Sequence, residues 1–396
     1  MTFPVIGVVG GGQLARMMAP AATALGFNLR ILAEAPDVSA VSAVPDAPVG
    51  DYTDLATLLA FSAGVDVLTF DHEHVPTEHL RALVEAGVNV QPGPDALVHA
   101  QDKLVMRAAI DALELPNPQW AAVGNVAELV AFGDHTGWPV VLKTPRGGYD
   151  GKGVRILDSA VEAEDTADWF ELMSPLLAEA KVEFSRELSA LVARSPSGEA
   201  RAWPVVHTIQ VDGVCDEVIA PAQDISLDVA ATAEDAALRI AHELGVTGVL
   251  AVELFETPGV GVGFLINELA MRPHNTGHWT QDGAVTSQFE QHLRAVLDLP
   301  LGATDALGPV VVMKNYLGGD NQDLFSSFPA AMAAEPTAKI HSYGKSVRPG
   351  RKIGHVNVVG AAVSDVADVR RRASTVAAII RDGVAAASAK DPEENP

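Results

Sequence analysis

Short apolar runs alternate with helically spaced apolar positions over the first hundred residues. Residues 5–9 form a continuous apolar run of the buried-strand type, Gly10-Gly11-Gly12 reads as a turn, and 14–25 carries helical spacing. Residues 27–33 predict a second strand, 65–70 a third, 77–86 a helix and 88–91 a further strand. Alternation of this kind predicts a parallel, doubly wound sheet. Pro92-Gly93-Pro94 punctuates its end and sets a first boundary, giving a unit over 1–100.

The texture then changes. A helix over 103–113 stops before Pro116 and Pro118. After a short helix, the strands 139–143 and 154–157 flank a glycine loop, so 101–190 reads as a compact α+β module. The third unit, 191–390, mixes strands (188–194 leading in, then 205–211, 248–255 and 262–269) with helices. One helix is expected over 233–244, with Thr232 and Asp235 in capping-box spacing and Gly245 as its stop. The polar tail 391–396 is expected to be disordered.

Charge narrows the partners. Of 396 residues, 51 are acidic and 27 are Lys or Arg, a formal net charge of −24. Such a field repels polyanions, which argues against nucleic acid and anionic membranes but not against a small anion held by a local patch. Cys215 is the single cysteine, so no intrachain disulfide forms and a cysteine zinc site is not expected. The N-terminus lacks the basic start of a signal peptide, and no apolar run approaches the ~18–20 residues of a membrane span. A soluble, cytoplasmic protein is the expectation.

Four stretches carry chemistry. Gly10-Gly11-Gly12-Gln13-Leu14-Ala15 fits a dinucleotide fingerprint, with Glu34 placed as the ribose acid, although any doubly wound domain needs a tight first turn. Lys143-Thr144-Pro145-Arg146-Gly147-Gly148-Tyr149-Asp150-Gly151-Lys152-Gly153 sets four glycines and several cations between two strands. It is no Walker A loop, but its freed N–H groups and its lysines suit phosphate. Residues directly opposite in a hairpin have numbers of constant sum, which places Glu253 against Glu268 across the glycine-rich turn. At roughly 5 Å between Cβ atoms, two such carboxylates repel unless a cation lies between them, and oxygen ligands suit Mg2+. Finally, Lys345, Arg348, Arg351 and Lys352 form a basic cluster without an acid, read as a phosphate clamp. The polar stretch 271–280 reads as a site loop. Asp71-His72-Glu73-His74 lacks metal spacing, and Glu73 is read there as a ligand contact at a strand's carboxyl end.

Together these motifs resemble the ATP-grasp superfamily and, within it, the 5-(carboxyamino)imidazole ribonucleotide synthetases. The match rests on GGGQLARM (10–17), KTPRGGYDGKG (143–153), EAKVEFSREL (179–188), INELAMRPHNTGHWT (266–280), SQFEQHLRA (287–295) and RPGRKIGHVN (348–357). It implies an ATP-grasp fold: a Rossmann-like N-terminal domain, a small α+β lid and a larger C-terminal α+β domain. The implied activity is ATP- and bicarbonate-dependent carboxylation of the amine of 5-aminoimidazole ribonucleotide, through carboxyphosphate, with Mg2+ or Mn2+, in a homodimer. The resemblance places Lys103, Lys143, Gly148, Tyr149, Asp150, Gly151, Lys152, Gly153 and Val154 on ATP. Glu179, Ala180, Lys181 and Val182 would hold adenine, Glu187 the ribose, with Gln210, Asn267 and Glu268 completing the site. Glu253 and Glu268 would hold the metal. Gln13, Leu14, Glu73, Tyr149, Lys152, Arg272, His274 and Asn275 would line the imidazole ribonucleotide, whose phosphate would sit on Lys345, Arg351 and Lys352. Tyr149, Asp150, Lys152 and Arg272 are the catalytic candidates, Asp150 for the amine's proton. The Ala180-Lys181 pair departs from the family in a segment that varies.

Three other readings stand beside this one: a sister ligase such as a formate-dependent glycinamide ribonucleotide transformylase, an NAD-dependent oxidoreductase built on the first glycine turn, and a non-catalytic nucleotide sensor.

Overall fold

The computed structural model describes residues 3–148 and 153–383. Tyr149, Asp150, Gly151, Lys152 and the tail 391–396 lie outside the described residues. Among the described residues the strands form three sheets, each drawn from its own stretch of chain.

The first is parallel. It contains β1 (Val5–Val9), β2 (Asn28–Leu32) and β3 (Val67–Phe70) in the order β2-β1-β3, with α1 (Gln13–Leu25), α2 (Leu55–Ser62), α3 (Thr77–Glu85) and α4 (Pro94–Gln101) around it. Ile6, Val8 and Val9 are fully buried, as a parallel strand covered on both faces requires. α1 buries Leu14, Ala15, Met17, Met18 and Ala22 on one stripe and stops at Gly26 in the left-handed conformation. Residues 88–91 form no strand. Val90 makes only an isolated bridge to Leu68 before the chain turns into Pro92.

The second unit runs from α5 (Lys103–Ala112) through β4 (Trp120–Val123), α6 (Val126–Thr136), β5 (Val140–Lys143), β6 (Val154–Leu157), α7 (Ala160–Glu164) and α8 (Ala167–Leu172) to β7 (Leu176–Ala180). Its antiparallel sheet has the order β4-β7-β5-β6. β5 and β6 form a hairpin whose connection is the lysine–glycine loop.

The third sheet is antiparallel and has nine strands. β8 (Arg186–Arg194), β9 (Ala200–Ala202), β10 (Val206–Val211) and β11 (Val214–Ala220) lead to α9 (Leu227–Glu243) and the hairpin β12 (Gly248–Glu256) and β13 (Phe264–Ala270). α10 (Thr280–Gly283), α11 (Gln288–Val296), β14 (Val310–Leu317), α12 (Leu324–Ala334), β15 (Lys339–Ser342), β16 (Lys352–Gly360) and α13 (Val366–Asp382) complete it. α9 begins six residues before the expected start, capped by Ser226, whose hydroxyl accepts from Val229 N–H. Thr232 is therefore inside the helix and donates to the Asp228 carbonyl instead of capping. Its apolar stripe starts only at Ala233, because Leu227 is 88% exposed.

α11 joins the first unit to the large sheet, packing on α1 and on β12. Its His292 is fully buried: Nδ1 accepts from Val249 N–H at 3.1 Å, so the ring proton sits on Nε2, 2.8 Å from Thr69 Oγ1 on β3. Gly248, at φ +89°, makes room for that ring, since a Cβ there would lie 2.7 Å from it.

Candidate active site

The carboxylate pair is where the hairpin register puts it. Glu253 on β12 faces Glu268 on β13, but the register slips immediately afterwards, Leu254 pairing with Ile266. Asn267 is the extra residue of a β-bulge beside Glu268, a device that re-aims side chains at a strand. Burial pushes the Glu253 carboxyl up to about 8, with Glu268 and Glu187 adding like charge. A cation beside such a carboxyl would favour its ionised form. Among the described residues no group of three His, Cys, Asp or Glu side chains forms a metal cage. Two carboxylates completed by phosphate oxygens and water fit Mg2+, which keeps several non-protein ligands.

The nearby cations are held by carboxylates. Lys103 Nζ lies 2.6 Å from Glu268 Oε1, and Lys143 Nζ 2.7 Å from Glu179 Oε2. The other Glu179 oxygen takes Arg107 Nε at 2.5 Å, and these two cations outweigh burial to hold the Glu179 carboxyl low. Both Glu179 oxygens are thus engaged by side chains, with Ala180, Lys181 and Val182 following along the same segment. The first foot of the glycine loop docks on the start of α5: Lys103 N–H donates to the Pro145 carbonyl, and Arg146 pairs with Asp102, the helix cap. At the other foot, Thr144 N–H donates to the Gly153 carbonyl beside Val154, and Gly148 is the last residue described on the near side. Glu187 and Gln210 meet on adjacent strands, and burial raises the Glu187 carboxyl against the Gln210 hydrogen bond.

A second group lies between the first unit and the large sheet. Arg272 Nε donates to Glu73 at 2.7 Å, Gln13 Nε2 donates to Asn275 at 3.2 Å, and Lys345 Nζ donates to Gln13 Oε1 at 2.6 Å. Leu14 is buried next to Gln13. His274 sits 3.6 Å from Glu253, and burial together with Arg272 and Lys352 keeps it neutral. Arg351 bonds to Ser346 and opens onto Lys352, the first residue of β16.

Some residues that shape the site were not singled out by sequence. Gln288 is fully buried and clamps the His274 peptide, accepting from its N–H and donating to its carbonyl, both at 2.8 Å. Arg16 holds the segment leading to Lys345 by donating to the Ser342 carbonyl, and it also bonds Ser39 and Ser42. Arg107 was legible only as an arginine three residues from Ile110 on the buried stripe of α5.

The glycine turn after β1 is no dinucleotide site. Gly11 N–H donates to Glu34, and Gly12 N–H and Ala15 N–H both donate to Asp71. Two internal carboxylates thus fill the anion position of α1, and a Cβ on Gly12 would lie 2.0 Å from Asp71 Oδ2. Glu34 is a turn ligand, not a ribose acid, which overturns the oxidoreductase reading.

The chain matches three family models in order: a ribonucleotide synthetase preATP-grasp domain over 3–101, an ATP-grasp domain over 108–289, and a phosphoribosylaminoimidazole carboxylase C-terminal domain over 311–369. It is 53% identical over 380 residues to the N5-carboxyaminoimidazole ribonucleotide synthase of Mycobacterium tuberculosis, covering 94% of this chain and 87% of that one. The chain belongs to the N5-carboxyaminoimidazole ribonucleotide synthase family. A crystal structure of the Thermus thermophilus family member superposes with a TM-score of 0.84 at 36% identity, covering 94% of this chain and 98% of the other. The Aspergillus clavatus synthase, solved with ADP and 5-aminoimidazole ribonucleotide, gives 0.85 at 28% identity over 95% and 99% of the two chains. As in the family, this chain has the ATP-grasp fold of an ATP-dependent ligase.

Proposed function

We propose that this protein carboxylates the amine of 5-aminoimidazole ribonucleotide at the expense of ATP, giving 5-(carboxyamino)imidazole ribonucleotide, ADP and phosphate. The observation that carries the reading is the Glu253–Glu268 pair opposed across one hairpin with Lys103 against it, in a chain 53% identical to a named synthase. The fuller form adds bicarbonate as carbon source, Mg2+ or Mn2+, a cytoplasmic location and a homodimer.

The residues give the chemistry physical sense. Bicarbonate is a poor electrophile, and transfer of the γ-phosphoryl group to it makes carboxyphosphate, which releases phosphate and CO2 beside the amine. A divalent cation held by Glu253 and Glu268 would neutralise charge on the phosphates. Lys103 and Lys143, each already beside a carboxylate, would turn to the phosphate oxygens and stabilise the transferring group, the largest catalytic term open to such a site. Arg272, fixed by Glu73, would orient the ribonucleotide with Gln13, His274 and Asn275, and Lys345, Arg351 and Lys352 would take its phosphate. Asp150 would accept the amine's proton as the N–C bond forms, and Tyr149 to Lys152 would keep water from the intermediate.

ADP release measured with 5-aminoimidazole ribonucleotide, with and without bicarbonate, tests the reading. Turnover that requires both supports it. Turnover with formate and glycinamide ribonucleotide in their place would assign the chain to the sister reaction, and nucleotide binding without turnover would make it a sensor.

A further inference from the structure

Among the described residues, Arg107 is the one cation of the nucleotide region with no exposure at all. It leaves α5 and reaches three other parts of the fold. Nε donates to Glu179 on β7, Nη1 donates to the Ile266 carbonyl at 2.7 Å and to Asn117 at 2.9 Å, and Nη2 donates to the Asn267 carbonyl at 2.9 Å. The two carbonyls belong to the bulge that sets Glu268, and Glu179 is the carboxylate that holds Lys143. A single planar guanidinium therefore touches both the strand behind the phosphate lysine and the backbone kink behind the metal carboxylate.

Fold stability alone is a weak reason for this arrangement. Burying an ion pair gains little over a well-packed apolar side chain of similar volume, because desolvation offsets the attraction. What the fork supplies is geometry, since its N–H groups lie in fixed directions that a lysine cannot reproduce. We propose that Arg107 is a positioning residue that locks Lys143 and Glu268 into a common register, so that the nucleotide phosphates and the cation are gripped together. The proposal rests on the nucleotide and metal roles given above, and touches neither ligand directly.

The test uses Arg107→Lys, which keeps the charge on Glu179 but cannot bond both bulge carbonyls, with Arg107→Met as a second variant of similar volume. Titration calorimetry reads ADP binding at several Mg2+ concentrations, and 5-aminoimidazole ribonucleotide binding for comparison; thermal unfolding is read in parallel. The expected result for either folded variant is ADP affinity in Mg2+ lowered at least tenfold, half-saturation shifted to higher Mg2+, and ribonucleotide affinity within twofold of wild type. Unchanged ADP and Mg2+ titrations, even with a lowered Tm, overturn the proposal, as does equal weakening of both ligands. A wild-type protein that binds no ADP in Mg2+ would instead overturn the functional reading.

Discussion

Glu253 and Glu268 add like charge to each other across the hairpin, and that repulsion is what a cation between them would relieve. Glu268→Ala is expected to lower turnover at ordinary Mg2+ by at least a hundredfold, measured as ADP release; near-wild-type rates would remove the metal assignment. Glu253→Gln removes a carboxyl that folding forces above its usual range, up to about 8. At pH 8 it should lose activity and yet unfold at higher urea, by about 1–2 kcal/mol, because relief of a buried like charge favours the folded state. Equal or lower stability would mean that the two carboxylates are already neutralised by their neighbours. Burial raises the Asp71 carboxyl as well, but this one is tied to backbone donors. Its two oxygens accept the Gly12 and Ala15 N–H groups, so Asp71→Ala should cost about 1 kcal/mol in urea unfolding, the typical loss when a capping side chain goes.

Among the elements, the hairpin was legible and the bulge was not. Apolar alternation on both strands and one glycine-rich turn define which carboxylates oppose, whereas the extra residue at Asn267 has no pattern of its own. It is held from outside the hairpin, by the Arg107 guanidinium on the Asn267 carbonyl. The start of α9 was missed for a related reason: its first turn buries little, so a hydrophobic stripe gives no sign of it. The first glycine turn left a dinucleotide alternative open because sequence shows that glycine permits a close approach but not what approaches. Here the visitors are Glu34 and Asp71 from the same chain. The expected outcome is that NADH fluorescence shows no saturable change on adding protein up to millimolar dinucleotide, while ADP binding is retained. A saturable NADH site at α1 would contradict the filled turn.

For the whole molecule, the buried histidines set the response to acid. His278, His292 and His355 are completely buried and are held neutral, His292 at about 3, in each case chiefly by burial. Unfolding frees them to bind protons at an ordinary histidine value near 6.5, so the unfolded chain gains protons as pH falls below that value. For His292 the stability present above 6.5 is lost progressively towards 3, at about 1.4 kcal/mol per pH unit for each such proton. Glu253 acts in the opposite sense, between its usual carboxyl range and about 8, with one proton. Urea unfolding followed from pH 7 to pH 5 should therefore show a steep fall in stability; a flat profile would mean that the histidines are charged in the fold. The order of units along the chain could be read from composition and spacing. The ties between them could not, since His292 to Thr69 and Arg16 to Ser342 each join residues more than two hundred positions apart.

The bond from Lys345 to Gln13 spans 332 residues. During synthesis, Gln13 leaves the ribosome long before its partner exists, and the carboxylate hairpin and the strands around it emerge in between. A chain broken off after the ATP-grasp unit, which ends at 289, and before residue 345 carries that whole unit without this clasp. Such a fragment would keep the ATP-grasp unit and lack the part that closes the first helix onto the basic turn. Loss of that one contact is thus a signature of truncation, and a probe at Gln13 would tell a finished molecule from an interrupted one.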